Sequence, residues 1–340
     1  MTLLSHRERL QACLKDDSAL DRPPVALWRH FPMDDQSPDS LAAAALDFQA
    51  HYDFDLVKVT PASSFCIKDW GAEDVWEGHT EGTRRYTKHV VQKPQDWENL
   101  SLLDPKGAGH LSAQLECLRL IKNGLGSETP LLQTIFSPLA QAKNLAGGDL
   151  LIAHIRQHPG AVLKGLEIIA ESTRRFVEAC IETGIDGVFY AVQHAQADLL
   201  TLAEYKTFGL SLDQKILQFA SGLWCNLLHL HGLSVYFDLV PSYLSIFPSP
   251  LIINWHDRET PPSLGEAWSS LPSEVPPVLC GGISQHTIVF GDRSQVKQEA
   301  EDAIAQTHGR RLLLGTGCVV PIIAPHGNIQ AARRSVEAPR

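Results

Sequence analysis

The chain has 340 residues, with 29 Lys and Arg against 39 Asp and Glu, giving a formal net charge of −10 with His neutral. A hydrophobic fraction of 44% and a charged fraction of 20% exclude a wholly disordered chain and supply enough apolar residues for a large core. The acidic balance argues against nucleic acid or an anionic membrane as the main partner, because both select for Lys and Arg, and leaves a small-molecule substrate as the expected partner.

Residues 1–17 carry charges throughout and read as an amphipathic helix, not as the apolar stretch of a signal peptide. No apolar run approaches the roughly 18 residues of a membrane span. The seven Cys are scattered without CxxC spacing, so a reduced, cytoplasmic protein without a disulfide framework is expected. Eight short apolar runs bounded by Gly, Pro, Ser or Asp have the make-up of buried parallel strands: 25–30, 55–60, 131–136, 187–192, 234–239, 251–255, 277–281 and 311–315. Helical patterns fall between them at 39–51, 111–122, 161–183, 201–231 and 293–307. Eight alternating βα units predict an α/β fold, a (β/α)8 TIM barrel of one domain over residues 1–340. A long insert at 71–130 follows the second strand, and its VWEGHTEGTRRYTKHVV portion alternates like a solvent-exposed hairpin. Residues 240–250 leave barely a turn of helix between the fifth and sixth strands, the tightest connection of the eight.

In a barrel, chemistry belongs at the carboxyl ends of the strands. Those ends carry Arg29 and His30, then Lys58, Ser137, His194, Tyr236 with Asp238, Asn254 with His256, Cys280 and Cys318. Tyr236 and Asp238 are two apart and would share a strand face, as would Asn254 and His256. Asp238, His256 and Cys318 together offer O, N and S donors, a mixed set that zinc accepts with an open fourth position when catalytic. The plainer alternative is a hydrogen-bonded His and a Cys serving as a small core residue. Arg29 can fork onto a substrate carboxylate or phosphate, or pair with Asp34 or Asp35 nearby. Lys58 is a charge within an apolar run, either paired with an acid across the barrel or a functional cation. His194 has the chemistry of a general acid or base near neutral pH. Tyr236, Asn254 and His30 complete the candidate substrate contacts. The Gly-rich stretches CGGIS and LGTGC match neither GxGxxG nor the P-loop pattern.

The opening RERLQACLKDDSALDRPPVALWRHF, the strand end LIINWHD, the segment PVLCGGIS and the closing RLLLGTGCVVPIIAPHGNIQAARRSV resemble uroporphyrinogen decarboxylase-type proteins along the whole chain. The resemblance implies a (β/α)8 barrel, an enzyme and a homodimer. It also implies one of two activities: tetrapyrrole decarboxylation, or zinc-dependent methyl transfer between a corrinoid and a thiol, with a corrinoid protein as a partner. Decarboxylases of this kind carry two arginines four apart on the first strand; here Arg29 matches the first and Met33 replaces the second. Their catalytic aspartate after the second strand falls near Ala62, and their late histidine falls on Gly317. The methyltransferase branch binds zinc through His-x-Cys on the fifth strand and a Cys after the eighth. Cys318 matches the last of these, and the first pair falls on Tyr236 and Asp238. A substituted centre of Asp238, His256 and Cys318 would keep zinc in the same place, with Asp238 and His194 as the catalytic pair. The other reading is a barrel that binds a tetrapyrrole without turnover.

Overall fold

A computed structural model of the chain describes residues 3–271 and 276–337, so Met1 and Thr2 of the expected N-terminal helix lie outside the described residues. Seven strands run parallel and hydrogen-bond in chain order within one curved sheet: β1 (Val57–Val59), β4 (Leu131–Phe136), β5 (Gly187–Val192), β6 (Leu227–Leu230), β7 (Ile252–Trp255), β8 (Val278–Ile283) and β9 (Leu312–Thr316). Two further strands, β2 (Glu73–Val75) and β3 (Arg85–Lys88), form a separate antiparallel hairpin. Every residue of the seven parallel strands is buried, which is why each reads in the sequence as an unbroken apolar run and not as an alternation.

The eighth stave is the stretch that begins at Val25, and it is irregular. Val25 bridges Leu314 in parallel, and its carbonyl accepts from the Asp55 N–H at 2.8 Å. The Val320 N–H bonds to the Trp28 carbonyl at 2.8 Å. This stretch therefore lies between the last strand and the first and closes the (β/α)8 barrel.

Helices cover the outside of the sheet, and their starts are set by local chemistry. Ser5 and Glu8 form a reciprocal capping box on helix His6–Lys15. Ser137 caps helix Pro138–Ala146, where Pro138 occupies a first-turn position that needs no N–H.

The fifth unit corrects the sequence reading. The helical pattern over 201–231 stops at Ala220, and the fifth strand is β6, inside the span read as helix. Residues 234–239 are not a strand: they hold a 3₁₀ turn, Phe237–Leu239, followed by helix Val240–Leu244. A four-residue buried strand has no periodicity of its own, and LLHLH continues the apolar spacing of the preceding helix. With β6 placed earlier, the connection to β7 gains ample length.

Candidate functional site

His229 lies on β6 and His231 one residue beyond it, where the His231 N–H continues the ladder to the Val192 carbonyl at 2.9 Å. Residues two apart on a strand point to the same side, so both imidazoles face the barrel interior. Beyond β9 the chain passes through Gly317 to Cys318. A Cβ at position 317 would stand 2.7 Å from the His256 Cα and 2.9 Å from the Trp255 carbonyl oxygen. Only glycine lets the two strand ends come this close, and that approach brings Cys318 to the histidines. It also leaves no room for the histidine that decarboxylases carry at this position.

One donor atom from each of His229, His231, His256 and Cys318 lies within 4.8 Å of all the others. Three of them form a tight triangle. Cys318 Sγ is 3.6 Å from His229 Nε2 and 3.5 Å from His231 Nδ1, and the two nitrogens are 3.4 Å apart. Zinc bonds of about 2.0–2.1 Å to nitrogen and 2.3 Å to sulfur, set tetrahedrally, require N···N edges of about 3.4 Å and N···S edges of about 3.6 Å. The donor set and its spacing therefore fit zinc. The His256 Nε2 is buried with no hydrogen-bond partner among the described residues, an orphan beside this triangle.

The tautomer of His229 is fixed by its neighbour. Asn254, on β7, donates its amide to the Cys280 and Thr316 carbonyls at 2.9 and 3.1 Å, which turns its oxygen toward His229 Nδ1 at 2.7 Å. Nδ1 must then carry the proton, leaving a bare lone pair on Nε2 facing Cys318. Burial among like imidazoles holds His229 well below its ordinary value, so it stays neutral and ready to ligate.

The triangle sits in the wall of a cavity of ≈ 440 Å³, ordinary for a small-molecule site. Lys58, His30 and His194 also line it. Burial pushes the Lys58 ammonium down to about 7. Its Nζ hydrogen-bonds Thr60 Oγ1 at 3.2 Å and lies 4.5 Å from the Phe189 ring centroid. Burial, aided by the charges of Lys58 and Arg84, pushes His30 down to about 3; burial with Lys143 pushes His194 down to about 4. Each of these histidines keeps a buried Nδ1 without a hydrogen-bond partner among the described residues. The roof is the β2–β3 hairpin, which contributes Glu81, Thr83, Arg84 and Tyr86 to the lining. The Ile322 N–H holds the Thr80 carbonyl at 2.7 Å, and Gly82, at φ +78, packs where a side chain would collide with His30. The hairpin expected at 71–130 is present, but it covers the barrel mouth and does not merely face solvent.

The residues anticipated from the sequence divide accordingly. Lys58, His30, His194 and Cys318 meet at the cavity, and His256 joins the donor cluster. Asp238 does not: it is exposed on the 3₁₀ turn, outside the cluster, because the strand assigned to it is a loop. The Tyr236 hydroxyl donates to the Leu200 carbonyl at 2.7 Å, away from the cavity lining. Asn254 is fully buried behind His229 and orients it instead of touching a ligand. Arg29 points the other way from Trp28 and His30, into an outer groove, where its guanidinium lies 5.2 Å from both Phe31 and Phe48. His229 and His231 went unread because they fell within the supposed helix, although a His-x-His pair ending an apolar run was a signal available in the sequence.

The family model described as Uroporphyrinogen decarboxylase (URO-D) matches residues 7–338. Among curated proteins no sequence matches the chain. Among solved structures, a methyltransferase from Methanosarcina mazei superposes with a TM-score of 0.82 at 19% identity, covering 97% of this chain and 98% of that one. A B12-independent methionine synthase from Shewanella sp. W3-18-1, in complex with selenomethionine, gives a TM-score of 0.55 at 13% identity, with 92% and 91% covered. A putative vitamin-B12 independent methionine synthase from Listeria monocytogenes gives 0.55 at 9%, with 92% and 94% covered. At these identities the likeness is one of fold. The match that spans nearly every residue is decisive for lineage, and this chain belongs to the uroporphyrinogen decarboxylase family.

Proposed function

We propose that the protein is a zinc-dependent methyltransferase that moves a methyl group from a corrinoid or related methyl donor to a thiol. The observation that carries this reading is the triangle of His229 Nε2, His231 Nδ1 and Cys318 Sγ, with edges of 3.4–3.6 Å and the His229 tautomer fixed by Asn254. Zinc held there would supply Lewis acidity, favouring the thiolate of a substrate thiol at neutral pH. The fold shared with a methyltransferase and two methionine synthases supports the same chemistry.

In the reaction the thiol loses its proton and the sulfur lone pair forms a bond to the methyl carbon. The methyl–donor bond breaks, and its electron pair stays with the donor. His194 is the group proposed to accept the thiol proton: burial keeps its imidazole neutral, and its Nδ1, on the cavity wall, has no hydrogen-bond partner among the described residues. The hairpin roof excludes water from the nucleophile, and Phe189, Trp28 and Phe136 give the cavity its apolar surface. Asp238 has no place in this mechanism. Tetrapyrrole decarboxylation is disfavoured by the lining: Glu81, on the roof, is its one acid among the described residues, and Ala62 and Gly317 stand where decarboxylases have aspartate and histidine.

The test is metal analysis with turnover. Purified protein is expected to hold close to one equivalent of zinc and to methylate a simple thiol from methylcobalamin. Cys318→Ala is expected to lower zinc affinity by at least about tenfold and to abolish transfer. Less than about one-tenth equivalent of any transition metal after reconstitution overturns the reading.

A further inference from the structure

We propose that Lys58 is an imine-forming nucleophile and that the cavity places a small uncharged aldehyde on its amine. The proposal needs no metal and does not depend on the methyl-transfer reading. Lys58 stands on β1 and is only 8% exposed. A lysine keeps its proton because water or a carboxylate stabilises the ammonium. Among the described residues no carboxylate pairs with Lys58, and its Nζ meets the neutral Thr60 hydroxyl at 3.2 Å. Its flanks are covered by aromatic rings, with the Phe189 and Trp28 centroids 4.5 and 6.0 Å away. Ring faces attract a cation, but more weakly than the hydration they displace, and the balance falls toward the free amine. With Lys58 pushed down to about 7, about half of it is unprotonated at pH 7. For an exposed lysine that share is below about one in a thousand.

The local hydrogen bonds leave the nitrogen lone pair usable. The Thr60 hydroxyl gives its own proton to the Lys58 carbonyl at 3.4 Å, so toward Nζ it acts as an acceptor and anchors one N–H. The nitrogen opens onto the cavity of ≈ 440 Å³. There its lone pair bonds the carbonyl carbon, and the carbonyl π pair moves to oxygen. Both amine protons pass to that oxygen, which leaves as water. Amine and aldehyde thus give imine and water, with nothing oxidised or reduced. The transfer of two protons from nitrogen to oxygen needs relays inside a closed site. His30 and His194 line the same wall, each with a buried Nδ1 that has no hydrogen-bond partner among the described residues. His30 lies near enough for the charge of Lys58 to act on it. The reacting class is uncharged, because an anionic aldehyde would favour the ammonium over the amine as it entered.

The experiment treats the purified protein with butanal and sodium cyanoborohydride, which reduces an imine but spares the aldehyde. Peptide mass mapping then reads which lysines gain a butyl group. At pH 7 Lys58 is expected to be labelled at least about tenfold faster than any other lysine. Chelator-treated protein is expected to label equally fast. In Lys58→Met the fast phase should be absent. A second readout needs no variant. As pH rises from 7 to 9, exposed lysines lose their protons too, so the advantage of Lys58 should shrink at least about fivefold per pH unit. Labelling of Lys58 no faster than that of exposed lysines overturns the proposal, as does a fast phase that survives in Lys58→Met. An advantage that does not change with pH, or a fast phase lost on chelation, overturns it as well.

Discussion

Asn254 makes three hydrogen bonds, one to a histidine and two to carbonyls of the next two strands, Cys280 on β8 and Thr316 at the end of β9, and reaches no solvent. Its residue type and strand position suggested a substrate contact; the partners it meets make it the group that aims His229. Replacing it with Ala would free His229 Nδ1 and remove the bias toward a bare Nε2. Asn254→Ala is expected to weaken zinc binding about 10–100-fold, with the loss measured by competition against a chromophoric chelator. An unchanged affinity would mean that His229 needs no orientation. Lys58 shows the complementary case. Its oddity, a charge within an apolar run, was visible in the sequence, whereas its place on the cavity wall, with the Thr60 hydroxyl and no carboxylate beside it among the described residues, is visible only where the neighbouring staves stand around it. His194 and Cys318 were legible for the same reason: each is a reactive residue directly after a strand.

Among the elements, the β2–β3 hairpin shows how far pattern reaches. Alternation in the insert reports that successive side chains face opposite ways, not what each face meets. One face meets the barrel mouth through Arg84, which bonds the Pro32 carbonyl and Asp35 and approaches Asp74, itself 3.3 Å from Lys68. All the carboxylates in this group are buried, so Arg84 fastens the roof. In Arg84→Met, Asp35 loses its ion-pair partner and Asp74 keeps only Lys68. The expected result is amide exchange at least about tenfold faster across residues 73–88, by mass spectrometry, with core strands unaffected. Exchange unchanged in that segment would show that the hairpin is held otherwise. The fifth strand marks the opposite limit. A helix of the right apolar spacing runs into a strand too short to announce itself, and the error carried Asp238 into the site and left His229 and His231 out.

At the scale of the whole molecule, Asp55 ties the amino-terminal segment to the barrel at the face opposite the cavity. Its carboxylate accepts from Arg9 and Arg22 at 2.7 Å, from His6 at 2.9 Å and from the Val25 N–H at 2.7 Å. These contacts hold its pKa well below the ordinary carboxylate range despite complete burial. Because the folded value lies below the unfolded one, about 3.9, the stabilisation is fully present above about pH 5. It is lost progressively as pH falls below about 4. Asp55→Asn leaves Arg9 with Asp21 alone and Arg22 with no carboxylate among the described residues, and is expected to cost about 3–5 kcal/mol at pH 7 in denaturant melts. The cost should shrink toward acid pH. A variant gap that is flat between pH 7 and pH 3 would assign the stability elsewhere.

Taken alone, the sequence determined the alternating α/β architecture, the closed barrel and the family resemblance. Those depend on runs and spacings within one segment, which local burial and capping chemistry write directly into the chain. The tertiary structure decided the donor cluster and the roofed cavity. His231, His256 and Cys318 meet because three strand ends converge and because Gly317 permits backbone contact there. Convergence of that kind depends on register and curvature around a ring, to which no single segment holds the information.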